Sequence, residues 1–191
     1  MSTKKHFMKK KLLSLAAILS IGFFTSNLEA QTLSKVAATA AGAKLIQPMT
    51  LTEISPLHFG TINVLTGVGG TVLLPSNSLT RIFSAGVADG VVAPLPTNAA
   101  YNVTGTKNVA YALVLPDKIT VTETVDGAQT MEITLLKAKF TNAGTSGSDA
   151  ITSTLDGVGA DSFKVGGTLT VAPSQTPGIY AGNFEVSVDY N

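Results

Sequence analysis

Among the 191 residues, the side chains able to do chemistry are few: two histidines, no cysteine and twelve carboxylates. Nucleophilic catalysis needs a nucleophile, a base and a group that orients the base. Beyond the first thirty residues the lone imidazole is His58, set between Leu57 and Phe59 at the start of an apolar stretch. A surface or structural histidine fits that setting better than a base, and a zinc site would need roughly three or four N/S ligands. Asp149, Asp156 and Asp161 could converge in loops around Ca²⁺, which takes about six to eight oxygens. Their spacing matches neither an EF-hand nor a nonapeptide repeat, so they read as solvated turn acids. Glu123 and Glu132 flank Asp126-Gly127 as a glycosidase pair could, but charge on a hairpin surface is the simpler reading. Gly67-Val68-Gly69-Gly70 lacks the Lys-Ser/Thr of a phosphate loop. The expectation is a protein that is not an enzyme and holds no metal or cofactor.

The elements around these residues are strands and turns. Stretches rich in Val, Ile, Thr, Tyr and Phe predict strands over 43–54, 59–64, 70–74, 80–84, 100–104, 109–115, 119–125, 130–140, 162–171 and 178–190. Turn residues separate them, and Asp126-Gly127 marks the clearest hairpin. Residues 86–98, with Pro94 and Pro96, read as a long loop, and the Gly/Ser-rich 142–149 as a loop tip. Many short strands and no segment of helical period after the first thirty residues predict one Ig-like β-sandwich of antiparallel strands over 43–191.

The first thirty residues read as a signal peptide. Lys4, Lys5, Lys9, Lys10 and Lys11 precede a thirteen-residue apolar run, Leu12 to Phe24, short of the ~20 residues a membrane span needs. Cleavage at Ala30–Gln31 would leave 161 residues with eight of the thirteen Lys/Arg and eleven of the twelve Asp/Glu, turning a net charge of +1 into −3. No run of basic residues remains to hold nucleic acid or anionic lipid. The expected route is export without membrane insertion, through a periplasm to the cell surface or the medium. With no cysteine, the domain must be held by packing and sheet hydrogen bonds rather than disulfides.

The end of the chain carries the sharpest pattern. Phe184, Val186, Val188 and Tyr190 alternate with Glu185, Ser187 and Asp189, the period of a strand with one buried and one wet face. Full burial of Phe184, Val186 and Val188 would contribute roughly 5–9 kcal/mol. A tyrosine next to last and a glycine fourteenth from the end, Gly178, resemble the ends of chaperone–usher pilus subunits. An ordinary terminal strand, with Gly178 a turn residue after Pro177, has the same pattern.

Further pieces, in order, resemble the bacterial family called domain of unknown function 4402. They are Pro48-Met49-Thr50-Leu51-Thr52, Leu57-His58-Phe59-Gly60-Thr61-Ile62, Gly69-Gly70-Thr71-Val72, Tyr101-Asn102-Val103-Thr104-Gly105, Val165-Gly166-Gly167-Thr168-Leu169 and Pro177 to Asn191. The resemblance implies an exported, pilin-like sandwich, and with it a fimbrial or adhesive role reached by strand complementation. A sandwich short of one strand leaves an open edge that a second chain can close. On that reading Phe184, Val186, Val188 and Tyr190 form the groove-side strand, Gly178 and Gly182 shape its approach, and Tyr180 packs in the core. The partners implied are other copies or related subunits, a periplasmic chaperone and an outer-membrane usher. The donor would lie in the extension 31–42 or slightly beyond. Leu33 and Val36 have opposite alternation phase there, a departure from the donor pattern, and an unstructured leader is the other reading of that extension. The rival function is a self-complete secreted sandwich that binds a glycan or protein. Four tyrosines and no tryptophan offer it little for stacking on sugars.

Overall fold

The computed structural model describes residues 38–142 and 150–191. Ala43–Asn191 forms one compact unit, distinct from Met1–Gly42. The described residues fold into β1 (Thr50–Ser55), β2 (Ile62–Val64), β3 (Gly70–Leu74), β4 (Ile82–Phe83), β5 (Val87–Asp89), β6 (Ala99–Thr104) and β7 (Ala110–Val114). They continue with β8 (Lys118–Glu123), β9 (Thr130–Phe140), β10 (Thr152–Thr154), β11 (Ala160–Val171), β12 (Tyr180–Ala181) and β13 (Ser187–Tyr190). Every pairing is antiparallel, and no helix occurs among the described residues. The all-β, sandwich-like fold expected from the sequence is the fold observed.

The large sheet runs β1-β6-β11-β9-β8-β12, with β3 also on β11 and β4 on β3; β10-β7-β13 and β2-β5 form two smaller sheets. Strand β11 is the hub because its twelve residues outreach any single neighbour. Its first half pairs with β6, its second half with β3, and its other side with β9. The β9–β11 register shifts opposite Gly166–Thr168, where Leu135 takes φ 51° in a bulge. Such a bulge bends the strand that carries it, β9, and the two core clusters part at this point.

On one side Tyr101 and Val103 of β6, Tyr111 and Leu113 of β7, Phe140 of β9 and Phe163 of β11 bury one another between the large sheet and the β7 sheet. Tyr101 stacks on Phe163 at 5.1 Å, and Tyr111 meets Phe140 edge-on at 5.7 Å, favoured aromatic geometries. On the other side Val72, Leu74, Val87, Ile119, Ile133, Leu169 and Val171 form a second cluster with Phe59. Inward alternation along β3, β9 and β11 feeds both.

Four expectations differ from the structure. The first strand begins at Thr50, not at residue 43, and Leu45 lies 88% exposed. Its apolar residues alone suggested a strand, but β6 has already run out of backbone partners by Thr50↔Thr104. Val87–Asp89, read as loop, pairs with β2 and buries Val87. Thr152–Thr154 pairs with β7 where no strand was expected. The stretch 178–190 is two strands in different sheets, not one.

Candidate strand-pairing site

The C-terminal segment leaves β11 through Gln175–Gly178 and first pairs with the large sheet, Tyr180 opposite Glu123 and Ala181 opposite Thr122. It then crosses to the other layer and pairs with β7 from Ser187↔Val114 to Tyr190↔Tyr111. Gly182 opens the crossing: a Cβ there would lie 2.4 Å from the Thr120 carbonyl oxygen. No side chain fits against that fixed backbone. Gly178 packs on the Glu123 side chain, 3.0 Å from where its Cβ would be.

Phe184, Val186, Val188 and Tyr190 all face inward, but each is only half-buried, while Glu185, Ser187 and Asp189 are exposed. The alternation is as expected; the full burial is not, because β13 is the edge of its three-stranded sheet. Leu113 N–H donates to Ile151 O on one side of β7, and Asn191 N–H donates to Ala110 O on the other. By the alternation of an antiparallel ladder, Ser187 and Asp189 therefore turn their backbone groups to β7. Val186, Val188 and Tyr190 turn theirs outward, and no strand among the described residues pairs with that edge. The residues with unpaired backbone are thus the residues with half-open apolar side chains.

Tyr190 closes the end of this edge. Its Oη donates to the Gln47 carbonyl and accepts from Thr106 N–H, both at 2.7 Å. The Thr106 hydroxyl in turn accepts from Gln47 N–H at 2.6 Å. Upstream of Gln47 the chain carries exposed Leu45 and Ile46. Leu33 and Val36 lie outside the described residues.

At the other end of the segment, Gly178 and Tyr180 line an open groove of about 580 Å³ with Ile62, Val121, Met131 and Ile133. Tyr180 is a correction: it is half-buried on the groove wall, not packed in the core. Its Oη donates to Thr176 O and accepts from Gln175 Nε2, and a hydroxyl so engaged near solvent has no reason to enter an apolar core.

The residues considered for catalysis or metal binding are used structurally. His58 is exposed and its Nδ1 accepts from Gly60 N–H at 2.8 Å. The two glutamates of the hairpin point to opposite faces of the β8–β9 ladder, since Glu123 follows the inward phase of Ile119 and Val121. Glu132 faces out and pairs with Lys118 at 2.6 Å. Glu123, expected as surface charge, is buried, and its carboxylate accepts from Val125 N–H at 2.9 Å and Asp126 N–H at 2.6 Å. Those amides, Asp126 first, hold its pKa below the ordinary carboxylate value.

Asp161 is the residue the sequence reading missed. It was expected to be a solvated turn acid; it is a buried strand residue. One carboxylate oxygen accepts from Tyr111 Oη at 2.9 Å and Ser153 Oγ at 2.6 Å, the other from Asn142 N–H at 3.0 Å and its neighbour Ser162 N–H at 2.7 Å. Burial first, and the facing Asp161 carboxylate second, push the Tyr111 phenol above its ordinary pKa. The signal was present: Asp161, Phe163 and Val165 share one alternation phase. Asp156 is exposed and caps its own turn, accepting from Val158 and Ala160 N–H. Among the described residues no three His, Cys, Asp or Glu side chains gather as a metal site; Asp149 lies outside them.

The described residues define an all-β, sandwich-like protein of antiparallel sheets, with β13 one of several edge strands. The chain is a member of the family described as Domain of unknown function (DUF4402), whose model matches residues 49–190. No curated protein and no solved structure matched it in comparison.

Proposed function

We propose that this protein is an exported structural subunit, fimbrial-subunit-like, that assembles at the cell surface when the outer edge of β13 receives a strand from another chain. The observation that carries the reading is the coincidence on Val186, Val188 and Tyr190 of outward backbone groups and half-open apolar side chains. An incoming strand pairs the first and covers the second in one step, main-chain bonds giving affinity and alternate side chains register. The basic and apolar residues 4–24 support export.

In transit, a periplasmic chaperone covers the edge. At an outer-membrane usher, a neighbouring copy's segment 31–42 replaces it along β13; Leu33 and Val36, of opposite phase, set one apolar side chain against the sandwich, and exposed Leu45 and Ile46 lie just beyond that segment. The test is the mass of the exported protein by size exclusion with light scattering, with and without residues 31–42. A ladder of multiples that collapses on truncation supports the reading. A single monomeric species in both cases refutes it.

A further inference from the structure

The outer face of the large sheet carries a cationic cluster that the linear sequence scatters. Lys137 and Lys139 lie two apart on β9, in the outward phase opposite to buried Ala138 and Phe140. Lys164 of β11 is the direct cross-strand partner of Lys139, and Gly166 that of Lys137. Three of the eight basic residues beyond the first thirty thus share one small patch of a region that is net acidic. Like charges directly opposite each other cost a sheet stability, and neither Lys139 nor Lys164 has a side-chain hydrogen bond or ion pair among the described residues.

Beside the lysines lies a cleft of about 350 Å³ with Gly166 and Gly167 in its lining. Gly166 lets the Leu74–Ser76 backbone close the cleft floor: a Cβ there would sit 2.2 Å from the Leu74 carbonyl oxygen, so no side chain fits between them. Ser76, Asn77 and Thr168 supply hydroxyl and amide groups, and Lys137 and Lys139 supply charge. The ring-bearing residues of β6, β9 and β11, Tyr101, Phe140 and Phe163, are buried on the opposite face, so no base-stacking platform accompanies the charge.

We infer that this cleft binds an acidic polysaccharide, a sugar carboxylate pairing with Lys139 and Lys164 while ring hydroxyls meet Ser76, Asn77 and Thr168. The occupant is chosen by charge complementarity and by hydroxyl and amide groups in a wall that also carries Leu73, Pro75 and Leu135 and holds no aromatic ring. This surface is on the outside of the sandwich, so the inference goes beyond strand complementation and does not depend on it.

Polygalacturonate is the probe, titrated at low ionic strength against the full chain, the double variant Lys139→Gln/Lys164→Gln and the control Lys107→Gln, with thermal unfolding followed in parallel. The expected result is binding that salt weakens, and that the double variant weakens roughly tenfold or more. Lys107→Gln should bind like the parent, and the double variant should unfold at the same or a higher temperature. Three results would overturn the inference: equal binding by the double variant, equal binding of neutral dextran, or tighter binding of a single-stranded oligonucleotide of matched charge.

Discussion

Tyr190 and Gln47, 143 residues apart, are joined by a 2.7 Å hydrogen bond from the phenol to the backbone carbonyl. The bond ties the last strand to the point where the chain enters the domain. Thr106 N–H completes the clamp, so one hydroxyl fixes three segments at the end of the open β13 edge.

Replacing Tyr190 by Phe keeps the ring and removes both bonds. At roughly 0.5–1.5 kcal/mol for each, the variant should lose about 1–3 kcal/mol, read by urea unfolding. Gly105 is the coupled position, since a Cβ there would lie 2.3 Å from the Tyr190 Oη. Gly105→Ala should therefore cost less in the Tyr190→Phe background than in the parent, in a double-mutant cycle. Strict additivity would mean the clamp is not formed.

The buried Asp161 network predicts a larger loss. Asp161→Asn places an amide donor among four donors, and leaving buried groups unpaired should cost roughly 2–4 kcal/mol. Unchanged stability would contradict the buried placement.

The same network sets an alkaline limit. Tyr111 has a raised pKa in the folded state, so the native protein holds a proton that the unfolded chain releases. Its contribution is complete below the unfolded value of about 10 and declines above it, with a slope near 1.4 kcal/mol per pH unit. Burial also raises Tyr101. Tyr111→Phe should flatten the decline above pH ~10, measured as unfolding free energy against pH, whereas an unchanged slope would count against it.

Acid acts through different groups. Glu123 and Asp156, held by turn amides, and Asp89, held by Val91 N–H with Arg81 nearby, all have lowered values. Their contributions are present above the ordinary carboxylate range and are lost as pH falls below about 4. Glu123→Gln should lessen the acid sensitivity of the β8–β9 turn, followed by amide exchange at Val125 and Asp126; identical acid profiles would argue against the cap.

The two glycines of the C-terminal segment should differ. At Gly182 the obstacle is the Thr120 backbone, and at Gly178 it is the end of the Glu123 side chain. Gly182→Ala should cost more than Gly178→Ala, within the ~1–3 kcal/mol typical of overpacking, and unfolding of the two variants side by side checks the order.

These particulars show what the sequence could carry. Alternation located β3 and β9 to the residue, because strong apolar phase and flanking turn residues agree there. The split of the final strand was hidden because Tyr180, Gly182, Phe184 and Val186 keep one phase straight through the crossover. Periodicity records which face a residue takes, not which sheet it joins. Two-partner features were equally hidden: Lys139 and Lys164 meet only through register, and the Tyr190 clamp only through closure of the whole domain. The open edge itself lay between these cases, its inward face legible and its missing neighbour not.

The most direct measurement is residue-resolved amide exchange along β13, before and after assembly. In the monomer Asp189, bonded toward β7, should be protected, while Val188 and Tyr190, facing the open edge, should exchange quickly. In assembled protein all three should be protected. Fast exchange at Val188 and Tyr190 that persists in the assembled state would contradict strand addition at this edge.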